Sequence, residues 1–137
     1  MDHSRTKGGV VMAKHTIVGF GYQGKRPEEL LRLTEELDAV VVDVRIKPFS
    51  RVRGWNSREL MALLGVRYQW CRDLGSENYR AAADAPVKLV DWQAGQSYLL
   101  GLLERTNVIL LCYEADESQC HRRLILDLFD GEQGEGR

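Results

Sequence analysis

The sequence carries almost no net charge: 19 Lys and Arg stand against 20 Asp and Glu, a balance of -1. Proteins that bind the phosphate backbone over a broad face have a clear basic excess. The composition therefore excludes a globally basic nucleic-acid binder and leaves only local patches. Long apolar runs are also lacking. A membrane span needs roughly 20 predominantly apolar residues, and no stretch approaches that, so no membrane association is expected. No apolar segment follows the N-terminal charges, so no secretory signal is expected either. Cysteine is scarce, at three residues with irregular spacing. That pattern reads as reduced thiols in a cytoplasmic protein, with a structural disulfide as the less favoured option. There is no internal repeat and no low-complexity domain.

What is present is ordinary globular material. A chain of 137 residues, 44% hydrophobic and 28% charged, suffices for one domain with its own core. Residues 1–14 mix Gly, Lys, Ser and His without periodicity and are expected to form a flexible N-terminal arm. Residues 15–130 are expected to form a single domain, and residues 131–137, polar and Gly-rich, a flexible tail.

Hydrophobic spacing divides the domain into alternating elements. His15 to Phe20 has the content of a first strand. Gly19, Gly21 and Gly24 follow, then Pro27, which suits the first position of a helix. Leu30, Leu31, Leu33 and Leu37 carry that helix to about Leu37. The run V-V-V-D-V-R at Val40 to Arg45 is the pattern of a strand buried on both faces of a parallel sheet. Ile46 to Gly54 reads as loop. Asn56 with Glu59 three residues later is a capping-box pattern. It predicts a helix over Ser57–Leu64, stopped by Gly65. Val66 to Trp70 is a short third strand. Cys71 to Pro86 resists decoding, beyond a helical turn or two at Arg80 to Asp84. A longer helix is predicted over Asp91–Arg105, with Trp92, Leu99, Leu102 and Leu103 inward, against the opposition of Gly95 and Gly101. Val108 to Cys112 is a fourth strand. Asp116 with Gln119 repeats the capping pattern, and Leu124, Ile125, Leu128 and Phe129 form the stripe of a last helix. This order implies an α/β fold: a single three-layer domain with a mainly parallel sheet covered by helices.

In open α/β sheets ligands sit outside the carboxyl ends of the strands, and every chemically rich stretch of this sequence follows a strand. Cys112, Glu114, Cys120, His121, Arg122 and Arg123 lie within one segment after the fourth. Cys112 precedes a helix N-terminus, where a thiol's pKa is lowered. The acidic loop Y-E-A-D-E opposes a thiolate and repels phosphate, and the alternative is a small buried residue at a strand end. Cys112, Glu114, Cys120 and His121 have the residue types of metal ligands. Their spacing matches no common zinc pattern, and Cys120 and His121 diverge by about 100° on a helix, so no metal is expected. Glu114 and His121 suit shared acid–base work. After the second strand come Arg45, Lys47, Arg51 and Arg53. Arg45 and Arg122, if they converge, form a fork for phosphate or carboxylate. Alternatively, Asp43 pairs with one of them inside the protein. Asn56 is read as a helix cap before any functional role. The stretch G-F-G-Y-Q-G-K lacks the spacing of a phosphate loop, but Tyr22 and Lys25 can reach a ligand at the shared edge.

These residues also carry a resemblance. The segments T-I-V-G-F-G-Y-Q-G-K (Thr16–Lys25), V-V-D-V-R-I-K-P-F-S-R (Val41–Arg51), W-N (Trp55 and Asn56), G-V-R-Y (Gly65–Tyr68), L-G (Leu74 and Gly75) and L-L-C-Y-E-A-D-E-S-Q-C-H-R (Leu110–Arg122) are similar, in order, to motifs of the domain of unknown function 488, found in bacteria, archaea and phages. The resemblance groups Asp43, Arg45, Pro48, Ser50, Arg51, Asn56, Cys112, Glu114, Cys120, His121 and Arg122 and implies no reaction. The chain departs from the pattern by an additional residue before Y-Q-G-K and by a shorter segment between Gly75 and Asp91.

The expectation from the sequence is an enzyme-like domain that binds an anionic ligand, phosphate-containing and nucleotide- or nucleic-acid-derived, at the carboxyl edge of the sheet. Asp43, Arg45, Ser50, Arg51, Asn56, Cys120, Arg122, Tyr22 and Lys25 would bind it. Glu114, His121 and Cys112 would carry any catalysis. The cofactor is unspecified. Alanine at Arg45 or His121 should weaken binding and leave the thermal midpoint nearly unchanged. A second reading is a non-catalytic nucleic-acid- or protein-binding module with Arg51, Arg53, Trp55 and Arg58 as a basic, aromatic surface. A weaker one is sulfur transfer by Cys112.

Overall fold

The computed structural model describes residues 15–77, 88–113 and 121–133, with side chains from 122 to 129 in the last stretch. The expected arm at 1–14, the helical turn at Arg80 to Asp84 and the capping pattern at Asp116 to Gln119 lie outside these residues.

Four strands, β1 (Ile17–Gly21), β2 (Ala39–Asp43), β3 (Tyr68–Trp70) and β4 (Asn107–Cys112), alternate with four helices, α1 (Pro27–Leu37), α2 (Ser57–Leu64), α3 (Trp92–Leu103) and α4 (His121–Gln133). All strand pairs are parallel and the order across the sheet is β1-β4-β2-β3. The last strand of the sequence thus lies between the first two. Its burial is continuous from Val108 to Cys112, as expected for a central strand covered on both faces.

Side-chain alternation sorts the core into two layers. Val41, Ile109 and Leu111 face Leu30, Leu60 and Leu64 of α1 and α2. Val42, Val44, Val108, Leu110 and Cys112 face Leu99, Leu102 and Leu103 of α3 and Ile125 and Phe129 of α4. The handedness of parallel crossovers accounts for this. The chain steps the same way across the sheet from β1 to β2 and from β2 to β3, which puts α1 and α2 on one face; the return from β3 to β4 puts α3 on the other. The fold is therefore an α/β domain of three layers.

The local signals act largely as expected. Pro27 opens α1, and the Glu29 carboxylate accepts from the Arg26 N–H at 2.9 Å. Glu59 closes on the Asn56 N–H at the start of α2, and Gly65 ends that helix at φ 60°. Asp91 caps α3 by accepting from the Ala94 N–H. Gly95, expected to weaken α3, is required in it: a Cβ there would collide with the Leu74 side chain. Two expectations need correction. The third strand is shorter, because Gly65 to Arg67 forms a 3-10 turn that leaves Val66 92% exposed. The last helix runs through Gly131 to Gln133, so the expected start of the tail falls inside it. Among the described residues, no helix is long and apolar enough to cross a membrane.

Candidate functional site

The strand register aligns the carboxyl ends of the sheet. Gly21 lies beside Cys112, and Asp43 beside both Leu111 and Trp70. Pairing continues past the strand ends: Tyr22 N–H donates to the Cys112 carbonyl, Gln23 N–H to that of Tyr113 and Val44 N–H to that of Leu111. The loops then part. Those after β1 and β2 lead to α1 and α2 on one face, whereas α4, which follows β4, packs on the other. In this architecture the usual ligand position is the carboxyl edge, where neighbouring loops diverge to opposite faces in this way.

The buried pair Asp43 and Arg45 anchors the edge. Asp43 is fully buried and Arg45 is 8% exposed. The Arg45 Nε donates to Asp43 Oδ1 at 2.8 Å and Nη2 to Oδ2 at 2.6 Å, a bidentate fork. Nη1 donates to the Trp55 carbonyl at 2.7 Å and to the Tyr22 hydroxyl at 3.4 Å. Tyr68 donates its hydroxyl to Asp43 Oδ2 at 2.5 Å. Burial works against the Arg45 charge, but the hydrogen bond and the charge of Asp43 outweigh it and raise the guanidinium pKa further. Burial, and then the Asp43 carboxylate, push the Tyr68 hydroxyl well above the ordinary tyrosine range. Neither side chain exchanges a proton near neutrality. Of the two roles open to Arg45, the internal pair with Asp43 is the one formed. The expectation that Arg45→Ala leaves stability untouched is therefore corrected, because that substitution would strand a buried carboxylate.

This pair holds the loop 46–56 against the sheet, and the loop is largely self-bonded. Asn56 Oδ1 accepts from the Ser50 N–H at 2.6 Å, Ser50 Oγ accepts from the Val52 N–H, and the Pro48 carbonyl accepts from the Ser57 N–H. Glu59 Oε1 accepts from the N–H groups of Gly54 and Asn56, and the backbone bond at Asn56 is the largest cause of its lowered pKa. Gly54 has φ 96°, and a Cβ there would meet Pro27 Cγ at 2.6 Å. Ser50 and Asn56 thus shape the loop. Arg51 is exposed.

A row of rings lies beneath. Tyr22 stacks on Trp55 with centroids 4.7 Å apart and meets Tyr113 edge-on at 5.3 Å. The Arg45 guanidinium lies 5.3 Å from the centre of the Tyr22 ring, and Lys25 Nζ 5.3 Å from that of Phe20. Trp55 has no exposed surface, so its expected place on a basic, aromatic surface is corrected: the loop folds it under Tyr22.

The segment after β4 is described only at its ends. Glu114 and Cys120 lie outside the described residues. His121 is the first residue of α4, but its side chain is also outside them. Arg122 is 2% exposed. Cys112 is disulfide-bonded, whereas Cys71 is a free, buried thiol whose pKa burial raises. The expectation of three reduced thiols is corrected accordingly.

Two residues of this edge escaped the sequence reading. Tyr68 was read only as part of G-V-R-Y; its hydroxyl reaches Asp43 because β3 pairs with β2. Trp70, at the end of β3, donates its indole N–H to the Arg45 carbonyl at 2.7 Å. No local spacing signals either contact: both depend on β3, which Tyr68 opens and Trp70 closes, pairing with β2.

No curated protein and no solved structure matches the chain closely enough to count as a relative. A family model, described as Domain of unknown function DUF488, matches residues 27–129, from the first residue of α1 into α4. β1 and its glycine loop, with Tyr22 and Lys25, precede the matched segment. The matched span contains the Asp43–Arg45 pair, the bonded loop and the Cys112–Arg122 segment, and the chain belongs to this family, the Domain of unknown function DUF488.

Proposed function

We propose that the domain binds a phosphate-bearing anion, a nucleotide or nucleic-acid-derived ligand, at the carboxyl edge of its sheet. One observation carries this reading. The segment from Val44 to Arg58 contains five basic residues and no acidic one. Arg45 is consumed by Asp43, but Lys47 and Arg51 are exposed and, like Lys25, form no salt bridge among the described residues. They belong to the loops that follow β1 and β2 at the carboxyl edge. An extensively bonded loop that holds cations at this edge supports anion binding, because little ordering remains to be done on association. Arg51 is the direct ligand-binding candidate. Arg45 and Asn56 act by holding the loop that carries it. Glu114 and His121 are the acid–base candidates if the bound ligand is turned over. Sulfur transfer by Cys112 would first require reduction of its disulfide.

The test is calorimetric titration of the full chain with pyrophosphate and with nucleoside mono- and triphosphates at low salt. Arg51→Ala and His121→Ala should each weaken binding while the thermal midpoint stays within a degree or two, and affinity should fall as salt rises. A wild-type protein that binds none of these anions removes the reading.

A further inference from the structure

Exposed aromatic rings at this edge stand next in the sequence to cations at two positions, Phe49 and Trp70, and this carries the assignment of the ligand further. Few large apolar side chains stand out from the described surface, and three of them are aromatics of the carboxyl edge. Phe49 is 71% exposed in the loop after β2, Trp70 is 45% exposed at the end of β3, and Tyr113 is 43% exposed after β4. Val52, in the same loop as Phe49, is half exposed as well.

None of the three rings is loose by default. The Trp70 indole is fixed by its bond to the Arg45 carbonyl, and Tyr113 by its edge contact with Tyr22. Phe49 sits one residue after Pro48, in a loop tied down by Asn56 and Glu59. An apolar ring held in water is costly unless another flat group covers it. Two of the rings have basic neighbours in the sequence: Lys47 and Arg51 flank Phe49, and Arg72, also exposed, follows Trp70, whereas Tyr113 is followed by Glu114 and marks the acidic end of the row. β3, which ends at Trp70, and β4, which Tyr113 follows, are separated by one intervening strand, two spacings of roughly 4.8 Å across the sheet.

We infer that the ligand is a single-stranded nucleic acid, whose bases stack on Phe49, Trp70 and Tyr113 while its phosphates run past Lys47, Arg51 and Arg72. This rests on the proposed anion site and specifies its ligand. Rings and cations in alternation are what a single strand requires, since every unpaired base offers a flat face and every step a phosphate. Duplex bases are already stacked and present no such faces. A lone phosphate would need the cations and gain nothing from the rings. A protein partner would cover the rings but would not call for the excess of like charge.

The experiment is fluorescence anisotropy on the full chain with labelled 12-nucleotide oligo-dT and oligo-rU, a hairpin duplex of equal length, and unlabelled pyrophosphate as competitor. Both single strands should bind more tightly than the duplex. Phe49→Ala and Trp70→Ala should each weaken them by about five-fold or more, the lower end for loss of one stacking platform. Because Trp70 also bonds the loop, Phe49→Ala decides the matter if Trp70→Ala lowers the thermal midpoint. The logarithm of affinity should fall against that of salt concentration with a slope of about -2, as for three phosphate contacts to a single strand. Binding of pyrophosphate that depends on Arg51, with no effect of Phe49→Ala on any probe, overturns this inference and leaves the anion site standing. Tighter binding of the duplex also overturns it. Failure of every probe at low salt removes both.

Discussion

The two oxygens of Asp43 are gripped by the guanidinium of Arg45, two residues further along the chain, at 2.8 and 2.6 Å. Both residues are buried, and Tyr68 closes the same carboxylate from β3. Loss of either ionic partner leaves the other as an uncompensated buried charge. Asp43→Ala and Arg45→Ala should each destabilise the domain by about 3–5 kcal/mol. Tyr68→Phe removes one bond to a charged acceptor and should cost about 1.5–3 kcal/mol. Urea denaturation checks the series. A stability near wild type for Arg45→Ala would mean that the pair is not the keystone of the loop.

The Glu59 carboxylate accepts from the N–H groups of Asn56 and Gly54, and these bonds lower its pKa below the ordinary 4.5. A depressed acid contributes stability above its unfolded pKa and loses it as the pH falls through the folded value. The stability difference between wild type and Glu59→Gln should thus be constant near neutrality and shrink as the solution is acidified below 4.5. Paired denaturation curves across that range measure it. A gap that persists in acid would show that the charge does not matter to the cap.

Two glycines of α3 should respond in opposite ways to the same change. Gly101→Ala adds a methyl into open space and should stabilise by about 0.5–1 kcal/mol through helix propensity. Gly95→Ala drives its methyl into Leu74, which is fully buried and cannot swing away, and should destabilise. The difference in thermal midpoint between the two variants tests whether α3 lies that close to the turn after β3.

In alkali, Tyr68 and Tyr98 should ionise late. Burial raises Tyr68, and burial together with Cys71 pushes Tyr98 up to about 12. A raised acid stabilises the fold below its unfolded pKa, near 10, and that contribution is lost as the pH climbs through the folded value. Absorbance titration at 295 nm should show incomplete ionisation of the five tyrosines until the protein unfolds. Tyr98→Phe should remove part of the late step. A single early transition that includes all five would contradict the burial of these rings.

Helices were legible because their signals are local. Pro27 with the leucines after it, and Asn56 with Glu59, each specify an element within one turn. Val40 to Val42 showed that β2 is buried on both faces, but not which strands flank it. Parallel partners are set by long-range packing, and Thr16 bonds Asn107 across 91 positions. The candidate site was legible as a grouping and less so as a set of roles. V-D-V-R allowed either an internal pair or a ligand fork, and only the burial of Asp43 selects the pair. Trp55 looked exposed because basic residues surround it in sequence, whereas the loop turns it inward onto Tyr22. Phe49 carried no sequence signal at all, since a single apolar residue in a loop can point either way.

The place of β4 between β1 and β2 governs how the chain is completed during synthesis. β1 leaves the ribosome before the other described strands, yet its neighbour among them is the last to be made. Until Cys112 has emerged, β1 has no partner among the described strands, and only the short β2–β3 ladder can form. The uncharged β1 segment therefore stays unpaired until the last of the described strands is made, the condition in which an incomplete chain is prone to aggregate.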